Sequence, residues 1–108
     1  MADVVAVVSD LMLASRVEET LRAAGHEVAI VPSVDAIESG DTGPAAVVAD
    51  LNAVDPAELR RLEPPVLGFY SHVDVDARRR AEQQGVDLVV PRSRLVREMP
   101  QLVDSLLD

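Results

Sequence analysis

Apolar runs too short for helices recur at residues 4–8, 28–31, 45–49, 66–69 and 88–90, and polar residues do not alternate with them. Such runs mark strands covered on both faces. The stretches between them carry helical signals. Residues 11–24 place Ala14, Val17, Leu21 and Ala24 on one face and stop at Gly25, a favourable helix C-terminus. A second, short helix is expected after Ser33 as its cap, with Val34 and Ile37 inward, ending at Gly40 before the turn Asp41-Thr42-Gly43-Pro44. Asp55-Pro56 reads as an N-cap followed by proline at the first helical position, opening a third helix with Leu59 and Leu62 toward the core; Pro64-Pro65 closes it. The fourth, residues 74–84, offers only Ala77 and Ala81 to the core and turns Arg78, Arg79, Arg80, Glu82 and Gln83 outward. Residues 93–99 should form an irregular turn or short helix, with Pro100 starting a final helix on Leu102, Val103, Leu106 and Leu107.

A β-α unit repeated about five times predicts an α/β fold. Right-handed crossovers wind the chain into a three-layer α/β/α sandwich around a five-stranded parallel sheet, of preferred order 2-1-3-4-5. At 108 residues the chain is one domain, residues 1–108. Ligands of such sheets bind beyond the carboxyl ends of the strands. There the pattern supplies two acids. Asp50 ends the run 45–49, and Asp10 ends the run 4–8 with only Ser9 between. If the two strands are parallel neighbours, both carboxylates leave the same edge, a geometry that suits magnesium or a phosphoryl group.

Composition narrows the chemistry. The formal net charge of −9 repels phosphate backbones, and Phe69 and Tyr70 are the only aromatics, so neither electrostatics nor base stacking favours nucleic acid. A cationic protein surface is a better partner. Absence of cysteine removes disulfides, thiolate nucleophiles and zinc–sulfur sites. All ten basic residues are Arg, so no side-chain amine is available for a Schiff base. No apolar run is long enough to span a bilayer, and no basic region precedes the first one, so a soluble cytoplasmic protein is expected. The first β-α turn, Ser9-Asp10-Leu11-Met12, has no glycine and no P-loop string occurs, which demotes dinucleotide and nucleoside-triphosphate enzymes.

In this order and spacing the residues resemble the receiver domain of bacterial two-component response regulators. Val7-Val8-Ser9-Asp10 is similar to the first-strand acid pair and Val48-Ala49-Asp50-Leu51-Asn52 to the phosphoacceptor segment. Residues 65–71 resemble strand four, and Gly85-Val86-Asp87 with residues 88–92 resemble the run into strand five and its basic residue. The resemblance implies a flavodoxin-like fold and makes Asp50 the acceptor of a phosphoryl group from a histidine kinase. Asp10, Asp50 and the backbone carbonyl of Asn52 would then be the protein ligands of Mg2+. It also implies that Tyr70, Ser71 and Arg92 stand at the switch and phosphate-contact positions, and that the fourth helix, strand five and the last helix form a dimer or output face.

Five departures weaken that chemistry. Ser9 replaces the second acid, so metal affinity should fall. Tyr70 stands where the family has Thr or Ser, with Ser71 able to substitute only after a local shift. Arg92 replaces the strand-five Lys, and its simplest alternative role is a salt bridge with Asp50. Ser93 follows where proline is usual, and Val89 replaces the mobile aromatic.

Other motifs have bland explanations. Asp10 also suits an N-cap of the first helix, and Asp50 a turn-capping carboxylate. Adjacent residues such as Ser71 and His72 point apart and cannot pair as nucleophile and base. His72, Asp74 and Asp76 suit a hydrated cap as well as a metal, and His26 is expected on the surface. Arg78, Arg79, Arg80 and Arg97 are candidates for a partner surface, used by a kinase, an effector or a second copy. The leading expectation is a stand-alone, non-enzymatic, atypical or pseudo-receiver acting through protein–protein contact. The alternatives are a phosphorylatable single-domain regulator using Asp50 and Mg2+, and a flavodoxin-like enzyme or cofactor binder.

Overall fold

A computed structural model describes residues 3–37, 43–71 and 74–108. Its elements run β1 (Val4–Val7), α1 (Leu11–Ala23), β2 (Val28–Val31), a 3-10 turn (Val34–Ala36), β3 (Ala46–Asp50), α2 (Pro56–Leu59), β4 (Val66–Tyr70), α3 (Val75–Gln83), β5 (Leu88–Pro91) and α4 (Arg92–Leu107). All strands pair in parallel in the order β2-β1-β3-β4-β5, the arrangement expected from the sequence.

Strand alternation divides the interior into two cores. On one side Val48, Leu67, Phe69 and Val90 pack with Leu13, Ala14, Val17 and Leu21 of α1 and Leu95, Met99, Leu102 and Val103 of α4. On the other Val47, Ala49, Val66 and Tyr70 pack with Val34, Leu59, Ala77 and Ala81 from the 3-10 turn, α2 and α3. Residues one apart on a strand therefore serve opposite layers, which is why the runs are continuously apolar.

The helix ends follow their local chemistry. Asp10 Oδ1 accepts the amides of Met12 and Leu13 at the start of α1, and Gly25 takes φ +97° just beyond its end. Asp55 Oδ1 accepts the Ala57 amide, with Pro56 opening α2. Asp74 Oδ1 accepts the Ala77 amide at the start of α3. In α4 the helical path breaks at Glu98 (φ −124°, ψ 21°), so a short helix and a longer one meet just before Pro100. That matches the two segments expected there.

Three expectations are corrected. Ser33 precedes the 3-10 turn in extended backbone, but its side chain caps nothing, because a single tight turn leaves no stack of free amides to satisfy. Ala24 is exposed and Leu13 takes its place in the core, the face of α1 being rotated by part of a turn. α2 ends at Leu59, leaving Leu62 to pack from the following turn. Gly40 and the Asp41-Thr42 part of the expected turn lie outside the described residues.

Candidate functional site

The carboxyl edge gathers the predicted residues. Because β1 and β3 are paired neighbours, with Val7 opposite Ala49, the segments carrying Asp10 and Asp50 leave the sheet side by side. Asp50 is the last residue of β3, and the chain turns tightly around it. Its backbone carbonyl accepts the amides of Ala53 and Val54 at 3.0 and 2.9 Å, and its Oδ1 accepts the Asn52 amide at 2.9 Å. This is an Asx-type turn, in which the acid shapes its own loop.

Asn52 then joins two loops. Its Oδ1 accepts the Ser71 amide at 2.9 Å, and its Nδ2 donates to Asp74 Oδ2 at 2.7 Å. Asp74 thereby holds α3 with one carboxylate oxygen and the β3–α2 loop with the other. The Leu51 amide donates to Phe69 O at 2.8 Å, and the Leu51 side chain covers Gly68 so closely that a Cβ there would lie 2.8 Å from Cδ1. Any larger residue at 68 would force the Leu51 side chain to shift from where it covers β4.

Asp10 is engaged at both oxygens. Oδ1 caps α1, and Oδ2 lies 3.0 Å from the Arg92 guanidinium. The Leu13 amide and then the Arg92 hydrogen bond outweigh slight desolvation and hold the Asp10 carboxyl below its ordinary value of 3.8. The expected Asp50–Arg92 pair is thus corrected: Arg92 pairs with Asp10, 82 residues away in sequence. The reason is positional. β5 ends at Pro91, so Arg92 is the first residue of α4 rather than of the strand, and α4 packs beside α1 on the same face of the sheet.

Tyr70 closes β4 with its ring buried in the core shared with α2 and α3, 7% exposed. Strand alternation sends Asp50 toward the opposite layer, since Asp50 lies opposite Phe69 in register and Phe69 faces α1 and α4. Ser71 is exposed and contributes its backbone to the Asn52 and Asp74 ties. Ser9 is exposed, and Val89 is half-buried against the α2–α3 core. His72 lies outside the described residues.

These donors do not fit magnesium, which demands several oxygens in near-octahedral array. Asp10 is committed to backbone amides and a guanidinium, Asp50 spends one oxygen on its own loop, and Ser9 brings no charge. No group of three or more His, Cys, Asp or Glu side chains able to hold a metal ion occurs among the described residues.

The arginine candidates lie on exposed helix faces. Arg78 pairs with Glu82 at 3.5 Å, and Arg94 and Arg97 both approach Glu98, at 3.4 and 3.2 Å. Arg80 reaches toward the site and lines a 220 Å3 hollow with Asn52 and Asp55. A second hollow, of 390 Å3, opens at the opposite edge of the sheet between Leu59, Pro64, Gln84 and Asp87.

His26 is the residue the sequence reading misplaced. Its side chain is 11% exposed, with Nδ1 2.8 Å from Asp3 Oδ2 and Nε2 3.4 Å from Asp104 Oδ1. The pairing of β1 with β2 sets Asp3 beside His26, and α4 adds Asp104. The hydrogen bond with Asp3, helped by the charges of Asp3 and Asp104 and opposed by desolvation, raises the imidazole above 6.5. No local motif foretold this cluster, since Asp3, His26 and Asp104 are far apart in sequence.

No protein-family model and no curated relative matches the sequence. The structure, by contrast, is similar to solved receiver domains. NtrX from Brucella abortus in complex with ADP superposes with a TM-score of 0.81 at 20% identity, over 98% of this chain and 27% of that one. The chain thus spans about a quarter of the length of that relative. The isolated receiver domain of Brucella abortus NtrX gives 0.78 at 18% identity, covering 97% of this chain and 98% of that one. The non-phosphorylated receiver domain of HemR from Leptospira biflexa gives 0.78 at 16% identity, over 97% and 93%. Five parallel strands in the order 2-1-3-4-5, two acid-bearing loops at their carboxyl edge and these superpositions together give the chain the flavodoxin-like fold of response-regulator receiver domains.

Proposed function

We propose that this chain is an atypical receiver domain, a pseudo-receiver, that works in signal transduction through protein–protein contact and not through phosphorylation of Asp50. The observation that carries the reading is the engagement of Asp10: one oxygen caps α1 and the other holds Arg92, in a site where Ser9 replaces the second acid. It is a binding domain and catalyses no reaction on a second molecule. Its partner is a kinase, an effector or a second copy, and the contact face is formed by α3, β5 and α4, where Arg78, Arg79, Arg80 and Arg97 supply cations on an otherwise acidic molecule.

A second reading, phosphorylation of Asp50 with Mg2+, is supported by the place of Asp50 at the end of β3. One experiment decides between them. The protein is incubated with acetyl phosphate, or with beryllofluoride and magnesium, while intact mass and amide spectra are followed beside an Asp50→Asn control. The expected result is no magnesium-dependent change at Asp50. A change that the control abolishes would overturn the pseudo-receiver reading. The contact face is tested by changing Arg78, Arg79 and Arg80 to Glu: any self-association seen by sedimentation should weaken, and unaltered association would remove α3 from the interface.

A further inference from the structure

We propose that Arg92 is a built-in replacement for the divalent cation of the receiver site, its guanidinium neutralising Asp10 at the first turn of α1. This rests on the reading of the carboxyl edge as a receiver-derived site, and it concerns the metal and not the phosphoryl group. Three observations lead to it.

The contact is direct. Arg92 Nη2 lies 3.0 Å from Asp10 Oδ2, while Oδ1 of the same carboxylate takes the Met12 and Leu13 amides at 3.0 and 3.2 Å. Each acid oxygen therefore has a partner from within the chain, and a magnesium ion entering here must compete with a guanidinium already beside the carboxylate. Magnesium gives up its own water reluctantly, so the exchange is unfavourable.

The arginine is placed by a rigid element. It opens the short first segment of α4, before the break at Glu98, which Leu95 anchors with no exposed surface. A cation on such an element is present at a fixed effective concentration and cannot be diluted or chelated away. Arginine also keeps its charge at any pH that leaves the protein folded.

The pair is too exposed to be explained as a stabilising bridge. The Arg92 and Asp10 side chains are 49% and 41% accessible, a setting in which ion pairs contribute little to folding. Occupation of the acid is the effect that remains. In a molecule of net charge −9, a bare carboxylate beside Asp50 would add to local repulsion, and Arg92 removes it without a metal.

The test uses Mn2+ as a paramagnetic probe, reading broadening of the amide resonances of Ser9 to Leu13 and Asp50 to Asn52 in wild type, Arg92→Gln and Asp10→Asn/Arg92→Gln. Arg92→Ala serves as a second route to the same vacancy, and circular dichroism confirms that each variant is folded. Both single variants should bind Mn2+ at these amides at least about tenfold more tightly than wild type, and the double variant should lose the gain. Equal affinity in wild type and both single variants, or no local broadening in any of them, would overturn the proposal. Phosphodonor labelling reads Asp50 alone, so a failure here leaves the pseudo-receiver reading standing, and the reverse holds.

Discussion

At the scale of single residues, the site is shaped by groups whose two ends do different jobs. Asp74 caps α3 with Oδ1 and receives Asn52 with Oδ2, so Asp74→Ala should cost about 1 kcal/mol from the lost cap and also release the β3–α2 loop. Asn52→Ala should release the loop while leaving α3 capped. Urea unfolding read beside the Ser71 and Asn52 amide shifts separates the two, and amide shifts unmoved in both variants would show that the loops are not joined there. Gly68 is the other sensitive position. A methyl group at 68 would meet Leu51 Cδ1 and Cδ2 at 2.8 and 2.9 Å, and Leu51 is itself buried next to Asp50. Gly68→Ala should therefore destabilise the domain by about 1–3 kcal/mol and shift the Asp50 and Asn52 amides. A variant as stable as wild type, with those amides unmoved, would mean that Leu51 repacks freely.

At the scale of elements, the helices differ in how deeply they are rooted. α4 buries Leu95, Met99, Leu102 and Val103, whereas α3 buries only Ala77 and Ala81. Burial stabilises roughly in proportion to apolar area, so the amides of α3 should exchange through local opening well before those of α4. Hydrogen exchange checks the order, and slower exchange in α3 than in α4 would contradict it. For the same reason Leu95→Ala should cost about 2–5 kcal/mol. The weak rooting of α3 is consistent with its proposed use as a contact face, since an element that moves easily can answer a partner.

At the scale of the whole molecule, His26 links the start of the sheet to the last helix and makes stability depend on pH. Its imidazole is raised above 6.5 by the Asp3 hydrogen bond, then by the charges of Asp3 and Asp104, against desolvation. Desolvation alone would raise Asp3 as well, but its hydrogen bonds with His26 and the Glu27 amide prevail and leave it below 3.8. A raised histidine contributes stability that is fully present below 6.5 and is lost as pH climbs through its folded value; a depressed aspartate contributes stability that is present above 3.8 and lost as pH falls through its folded value. Both contributions coexist between those limits. Wild type should thus lose stability relative to His26→Gln as pH rises from 6.5 through the folded value of the imidazole, measured by denaturant midpoints. Parallel curves for the two proteins would show that folding leaves the proton affinity of the imidazole unchanged.

Much of this was written into local chemistry. The five apolar runs, the Asp55-Pro56 and Gly25 helix ends, the two-alanine face of α3 and the break before Pro100 all follow from groups within a few residues of one another, so the sequence by itself determined the elements, their order and the parallel sheet. It also determined that Asp10 and Asp50 share an edge, because parallel strands all end at one side of the sheet, whereas the adjacency of β1 and β3 came from the tertiary structure. Which acid Arg92 meets, how Asn52 ties two loops, and why His26 is enclosed by Asp3 and Asp104 were decided only by the tertiary structure. Arg92 opens α4 directly after β5, and the packing of α4 beside α1 then selects Asp10. Side-chain partners separated by dozens of residues are set by such packing, to which local pattern is blind.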